Sequence, residues 1–179
     1  NRKWFENLPI DKNPDYVVYM DDFTGVALDN TNDWTVVKDS SATAALGADA
    51  ESGTLVLTSQ ATTDNDGASV QGNEIFALST SRDVWFETKV KVGDSEGSAI
   101  DLCVGLTVNF ATNPEAMLTA ADRIVFQVDD GDTNIDCVTE KDGTATTTDS
   151  GVDIADDSFV TLGFHAKGTG SVEFFVNRN

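Results

Sequence analysis

The sequence predicts an all-β fold, a sandwich or a barrel, on three observations. Ten stretches alternate apolar and polar residues at period two, the mark of strands with one buried face. Turns rich in Asp and Gly separate them. One segment alone carries helix signals, and no strand–helix–strand rhythm is present. A chain of 179 residues fits one β domain of this kind, large enough to bury a core without disulfide staples.

The first fifteen residues read differently from the rest. They hold Pro9 and Pro14 and the basic residues Arg2, Lys3 and Lys12. Trp4, Phe5, Leu8 and Ile10 follow neither a helical nor a strand period. Proline's fixed φ and missing N–H favour extended and edge conformations, so residues 1–15 are expected to form an extended arm. Its four apolar side chains either fold back on the domain or dock into a neighbouring subunit.

From residue 16 the chain reads as strand, turn, strand. The expected strands are 16–23, 34–37, 54–60, 68–71, 83–92, 100–108, 123–130, 135–141, 159–167 and 172–177. In "DVWFETKVKV" the core face is Val84, Phe86, Thr88, Val90 and Val92, with Trp85, Glu87, Lys89 and Lys91 opposite. "DNDG", "DDGD", "KDG" and "KGTG" supply residues that tolerate positive φ at turns. A short helix is expected near 113–121: Asn113 caps it, Pro114 takes its first position and Glu115 its first turn. The Thr-rich run 139–151 reads as a loop or hairpin tip.

Composition narrows the partners. Asp and Glu total 31 against 11 Lys and Arg, a net charge of −20. Such a surface repels phosphate backbones and anionic headgroups, which argues against direct nucleic-acid or membrane binding. No run of about 18 apolar residues is present to span a bilayer. Cys103 alternates onto the face of Asp101 and Gly105, whereas Cys137 shares a face with Ile135. The two sulfurs then point apart, and two free thiols are expected.

Catalytic patterns are sparse. His165 is the one histidine, and no Gly-x-Ser-x-Gly elbow accompanies it. A phosphate-binding Gly-x-x-x-x-Gly-Lys loop does not occur. Asp130, Asp132, Asn134 and Asp136 alternate as an EF-hand loop begins, but Ile135 and Lys141 stand where it needs Gly and Glu. They remain a candidate for structural calcium, with no other cofactor expected. Trp85, Glu87, Lys89 and Arg123 are a candidate glycan face, with indole for stacking and charged groups for hydroxyls. Glu87 and Asp101 could also meet as a carboxylate pair, as glycoside hydrolysis requires.

"MDDFTGVALDNTNDWTVV" followed by "ESGTLVLTS" resembles the opening of concanavalin A-like jelly-roll sandwiches. "DVWFETKVKV" is similar to the next long sheet strand, and "FVTLGFHAKGTGSVEFFVNRN" to the closing hairpins. The resemblance covers residues 16–179 and implies an antiparallel jelly-roll β-sandwich. The Glu-x-Asp-x-x-Glu of laminarinase-type members and the legume-lectin metal pattern are not found. In its Asp-Phe opening, acidic Thr- and Asp-rich loops and terminal arm, the chain resembles jelly-roll proteins among the structural genes of tailed bacteriophages.

That resemblance implies a non-enzymatic virion surface protein, a capsid decoration (cement) or head-fibre type, assembled in the host cytoplasm. Its partners would be capsid or other virion proteins and further copies of itself. The alternative is a carbohydrate-binding or lectin-like adhesion module, and the third reading a divergent glycan hydrolase or lyase. In such sandwiches a strand like "VEFFVNRN" turns into one more strand. The expectation is therefore that the sequence is a portion of a longer protein lacking its final strand or strands. Otherwise a neighbour or the arm would supply the partner.

Overall fold

In the computed structural model, residues 17–39, 41–47, 53–59, 66–93, 100–108 and 113–179 are described. They form β1 (Trp34–Lys38), β2 (Thr43–Leu46), β3 (Leu55–Thr58), β4 (Ala68–Gly72), β5 (Val84–Val90) and β6 (Leu102–Thr107). A 3-10 helix (Pro114–Met117) precedes β7 (Arg123–Val128), β8 (Asn134–Lys141), β9 (Thr144–Asp153), β10 (Val160–Lys167) and β11 (Ser171–Val176). All the strand ladders are antiparallel. The expected N-terminal arm, with Trp4, Phe5, Leu8 and Ile10, lies outside the described residues.

Two sheets share one core, the arrangement of a β-sandwich. One is three-stranded, in the order β11–β10–β5; the other is the meander β6–β7–β8–β9. Alternation decides which side chains enter. Val84, Val160, Leu162, Phe164, Ala166 and Val176 come from the first sheet and Ile124, Phe126, Val128, Ile135 and Cys137 from the second. Burying each Leu or Phe contributes roughly 1.5–3 kcal/mol. Phe174 of β11 joins the layers: its ring packs edge-on to Phe164 at 6.0 Å and to Phe126 across the interface at 5.2 Å. Phe86 stacks on Phe164 at 5.1 Å, and such pairs add about 0.5–1.5 kcal/mol beyond their area.

Two glycines are required by geometry. Gly105 has φ 151°, and a Cβ there would lie 2.3 Å from Ile124 O on the adjacent strand. Gly53 has φ 64°, and a Cβ would lie 2.3 Å from Asp22 O, so the chain around Phe23 lies directly against it.

Residues 34–72 carry two small ladders, β1–β4 and β2–β3. The strand expected over 16–23 is not formed across 17–23, which runs as irregular chain. Side chains fix it instead. Trp34 Nε1 donates to Asp21 Oδ2 at 2.9 Å, and the Tyr19 and Phe23 rings lie 5.8 and 5.6 Å from the Trp34 ring. β2 was not expected: its alanines give a weak alternation signal.

The expected helix near 113–121 is a single 3-10 turn. Asn113 caps it as anticipated, its side chain accepting from Glu115 N at 2.8 Å, with Pro114 in the first turn. Arg123 satisfies the carbonyls at its end: Nη1 donates to Met117 O at 3.2 Å and to Leu118 O. The Thr-rich run is also corrected. Only Asp142 and Gly143 form the tip, and Thr144–Asp153 is a strand at the edge of the meander.

β11 follows the turn that "KGTG" was expected to make. It is the second arm of a hairpin, paired with β10 from Leu162↔Val176 to Lys167↔Ser171 through the turn at 168–170. Beyond it, Asn177 and Arg178 adopt positive φ of 54° and 64° and turn the chain over the sheet. Asn177 N donates to Thr161 O at 2.7 Å, and Thr161 N donates to Asn177 Oδ1 at 3.2 Å.

Candidate functional site

Three of the four residues expected on a glycan face lie together. Trp85, Glu87 and Lys89 all project from β5 on the side away from the core, flanking β10 and beyond it β11. Register sets their neighbours. His165 lies opposite Trp85, Gly163 opposite Glu87 and Thr161 opposite Lys89. On the far side of β10, Glu173 faces His165 and Phe175 faces Gly163. Gly163 is therefore the centre of the outer face, a position with no side chain among neighbours that have them.

At one end of this face the Trp85 indole lies flat on the His165 imidazole, centroids 3.5 Å apart and planes 11° apart. His165 is thereby buried, while 39% of Trp85 remains exposed. Carboxylates orient the imidazole from its edges. Its Nε2 lies 2.8 Å from Asp83 Oδ2, and its Nδ1 lies 4.0 Å from Glu173 Oε2. Asp83 Oδ1 also accepts from Gly168 N at 3.2 Å, and Lys167 pairs with Glu173. The indole thus rests on a ring hydrogen-bonded to Asp83 on one edge, with the Glu173 carboxylate 4.0 Å from the other.

At the other end Arg178 reaches back from the turn after β11 and crosses β10. Its Nη2 donates to Glu87 Oε1 at 2.7 Å. Gly163 beneath has no side chain, and a Cβ there would stand 3.0 Å from Phe86 O of β5. Trp85, Glu87, Thr161, Gly163, Phe175 and Arg178 line the shallow depression that results. Lys89 stands at its margin with Nζ 4.4 Å from the Phe159 ring centroid, a cation–π contact.

Arg123 lies elsewhere. It projects from β7 on the outer face of the other sheet, under the 3-10 turn, with 8% of its side chain exposed. Nε donates to Glu140 Oε2 at 2.8 Å and Nη1 to Gln127 Oε1 at 2.8 Å, besides the two turn carbonyls. Its role is to tie the turn to the sheet. The cation that the sequence placed at Arg123 is supplied to this face by Arg178.

The calcium candidates are engaged with one another and with backbone. Asp132 Oδ1 accepts from Thr133 N and Asn134 N at 2.7 and 3.0 Å, and Asn134 Nδ2 donates to Asp132 Oδ2 at 3.4 Å. Asp130 enters through its N–H, which donates to Asp101 Oδ1 at 2.8 Å. Asp136 projects beside Asp149 on β9; partial burial, then Asp149, Asp129 and Asp132, push its carboxyl above the usual range. Among the described residues, no group of three or more His, Cys, Asp or Glu side chains is arranged to hold a metal ion. Asp101 lies at the entrance to β6 and Glu87 on β5, on separate sheets.

Both cysteines carry free thiols, and they point to opposite faces of the meander. Cys137 pairs with core-facing Phe126, whereas Cys103 pairs with outward-facing Gln127. Burial pushes Cys103 up to about 12 and Cys137 up to about 11. Cys103 Sγ lies 3.8 Å from Met117 O, against the same turn that Arg123 holds.

Sequence reasoning missed Gly163, Phe175, Asp83 and Arg178. One signal was present: a glycine inside the strand "VTLGFHAK" marks a place where another group passes close to the backbone. The fold and site together define an acidic all-β protein of β-sandwich type with an aromatic and charged surface site on its smaller sheet. Comparison with protein-family models, with curated proteins and with solved structures finds no match.

Proposed function

We propose that this chain is a non-enzymatic structural protein of a virion surface, of the decoration type that its resemblance to tailed-phage jelly-roll proteins implies. One observation carries the reading: most of the exposed large apolar side chains of the described residues fall between residues 17 and 78. Val17 is 74% exposed, Met20 82% and Val26 fully so, and Ile75, Phe76 and Leu78 are also exposed. An apolar patch rimmed by polar residues is the usual mark of a protein–protein contact. The sandwich by contrast has cations in intramolecular pairs, Lys91–Asp157, Arg123–Glu140, Lys167–Glu173 and Arg178–Glu87. Residues 17–78 then face capsid or other virion subunits, and the acidic sandwich faces outward. The jelly-roll connection belongs to this reading. It is supported by β5 and β10 being neighbours although the whole meander lies between them in sequence.

The test is particle composition. Purified virions should contain the chain in fixed stoichiometry. A variant with Met20→Ser and Phe76→Ser should fold, yet occupy the particle at a fraction of the wild-type level. Particles without the chain, or unchanged occupancy in the variant, would reject the assignment.

A second reading, a carbohydrate-binding or adhesion module, is favoured by a different observation: the Trp85 platform beside Glu87 and Arg178. Aromatic faces stack on sugar rings while neighbouring polar groups bind hydroxyls. The two readings are compatible on one particle. A glycan array without a binder would remove the second and leave the first.

A further inference from the structure

We propose that the depression over Gly163 binds one ring of a neutral saccharide, and that it discriminates against acidic ones. The inference rests on the carbohydrate-binding reading above and adds the ligand class and the residues that select it.

The geometry points to a ring-shaped ligand. The floor is the backbone of β10 at Gly163, and the walls are the indole of Trp85 and the ring of Phe175, with Thr161 beside them. A sugar ring presents a face of C–H groups to an aromatic surface, because the negative π face attracts the polarised C–H. The floor must stay bare: a Cβ on Gly163 would stand 3.0 Å from Phe86 O and project into this face. The indole is also held in advance, since the imidazole beneath it is itself anchored to Asp83. Such preorganisation lowers the entropy lost on binding.

The polar groups choose the class. Glu87 offers acceptor oxygens and Arg178 offers N–H donors, which suits vicinal hydroxyls that both donate and accept. The charge of Arg178 is already matched by Glu87 at 2.7 Å. A carboxylate on the ligand would have to compete with Glu87 for that guanidinium. It would do so on a protein of net charge −20, where the surrounding field opposes its approach. A neutral ring meets neither penalty.

The experiment uses the full chain with four probes: neutral gluco-, manno- and galacto-oligosaccharides, and oligogalacturonate as the acidic counterpart. Binding is followed by calorimetry and by NMR shifts. At least one neutral probe should bind, and oligogalacturonate should not. Trp85→Ala and Glu87→Gln should each weaken binding by about tenfold or more, as loss of a central aromatic or charged contact does. Glu87→Gln is a surface change that keeps the fold, and Lys91→Ala, outside the depression, serves as the unchanged control. Binding of oligogalacturonate alone would overturn this inference and leave the carbohydrate reading standing. Silence with all four probes would overturn both. A neutral probe that binds both variants as tightly as wild type would remove the site from this face.

Discussion

Arg123 and Glu140 form an ion pair with 2.8 Å between Nε and Oε2, and only 8% and 12% of their side chains are exposed. They belong to neighbouring strands of the meander and are roofed by the 3-10 turn that Arg123 also holds by its carbonyls. Removing one member leaves the other charge stranded in a desolvated place. Glu140→Ala should cost about 3–5 kcal/mol, the usual cost of breaking a buried pair. The double change Arg123→Met with Glu140→Leu should recover much of that, because apolar groups of similar volume need no partner there. Urea denaturation of the two proteins measures both. Equal destabilisation would mean that the guanidinium's grip on the turn, rather than the charge pair, holds this face.

Asp136 gives a test with an opposite sign. Its folded-state pKa is raised, with burial the main cause and Asp149 next. A raised carboxyl stabilises the fold only while protonated, so its contribution is lost as pH rises through the carboxylate range. At neutral pH the ionised group therefore works against the fold. Asp136→Asn should melt higher than wild type at pH 7, by about 1–3 °C for a half-buried site. The advantage should shrink toward zero below the ordinary carboxylate range. Melting curves across pH check it, and an Asn variant that melts lower at pH 7 would contradict the raised pKa.

The thiols should be silent in the native protein. With Cys103 pushed up to about 12 and Cys137 up to about 11, almost no thiolate is present at pH 8. Reaction with a disulfide reagent should be at least about a hundredfold slower than for unfolded chain, in which both thiols react. A fast-reacting native thiol would mean that one of these sites opens readily to solvent.

The legible parts of this fold are those where burial imposes a period. β5 and β10 could be read in full because Val84–Val90 and Val160–Ala166 alternate against one core. β9 could not, because most of Thr144–Asp153 is exposed, and an edge strand with two wet faces leaves little alternation to read. The irregular stretch 17–23 misled for the converse reason: its Val, Tyr and Met look like a strand, but they are exposed and Trp34 fixes the segment. The site divides the same way. Alternation put Trp85, Glu87 and Lys89 on one outer face, a local property of one strand. It could not tell Arg123's sheet from theirs, nor foresee that Arg178 would reach them from a turn with positive φ.

The neighbouring of β5 and β10 also sets an order on folding. Asp83 and His165 lie 82 residues apart in sequence. The meander and the β10–β11 hairpin join strands that follow one another and close short loops, whereas seating β5 on β10 closes a far longer one. Long-range pairings of this kind are the slow ones. Trp85 meets its imidazole only when that closure is made, so the platform is among the last features of the molecule to exist. Its fluorescence is a clock for completion of the native state: a nascent or damaged chain would show its strands before it could show this pairing.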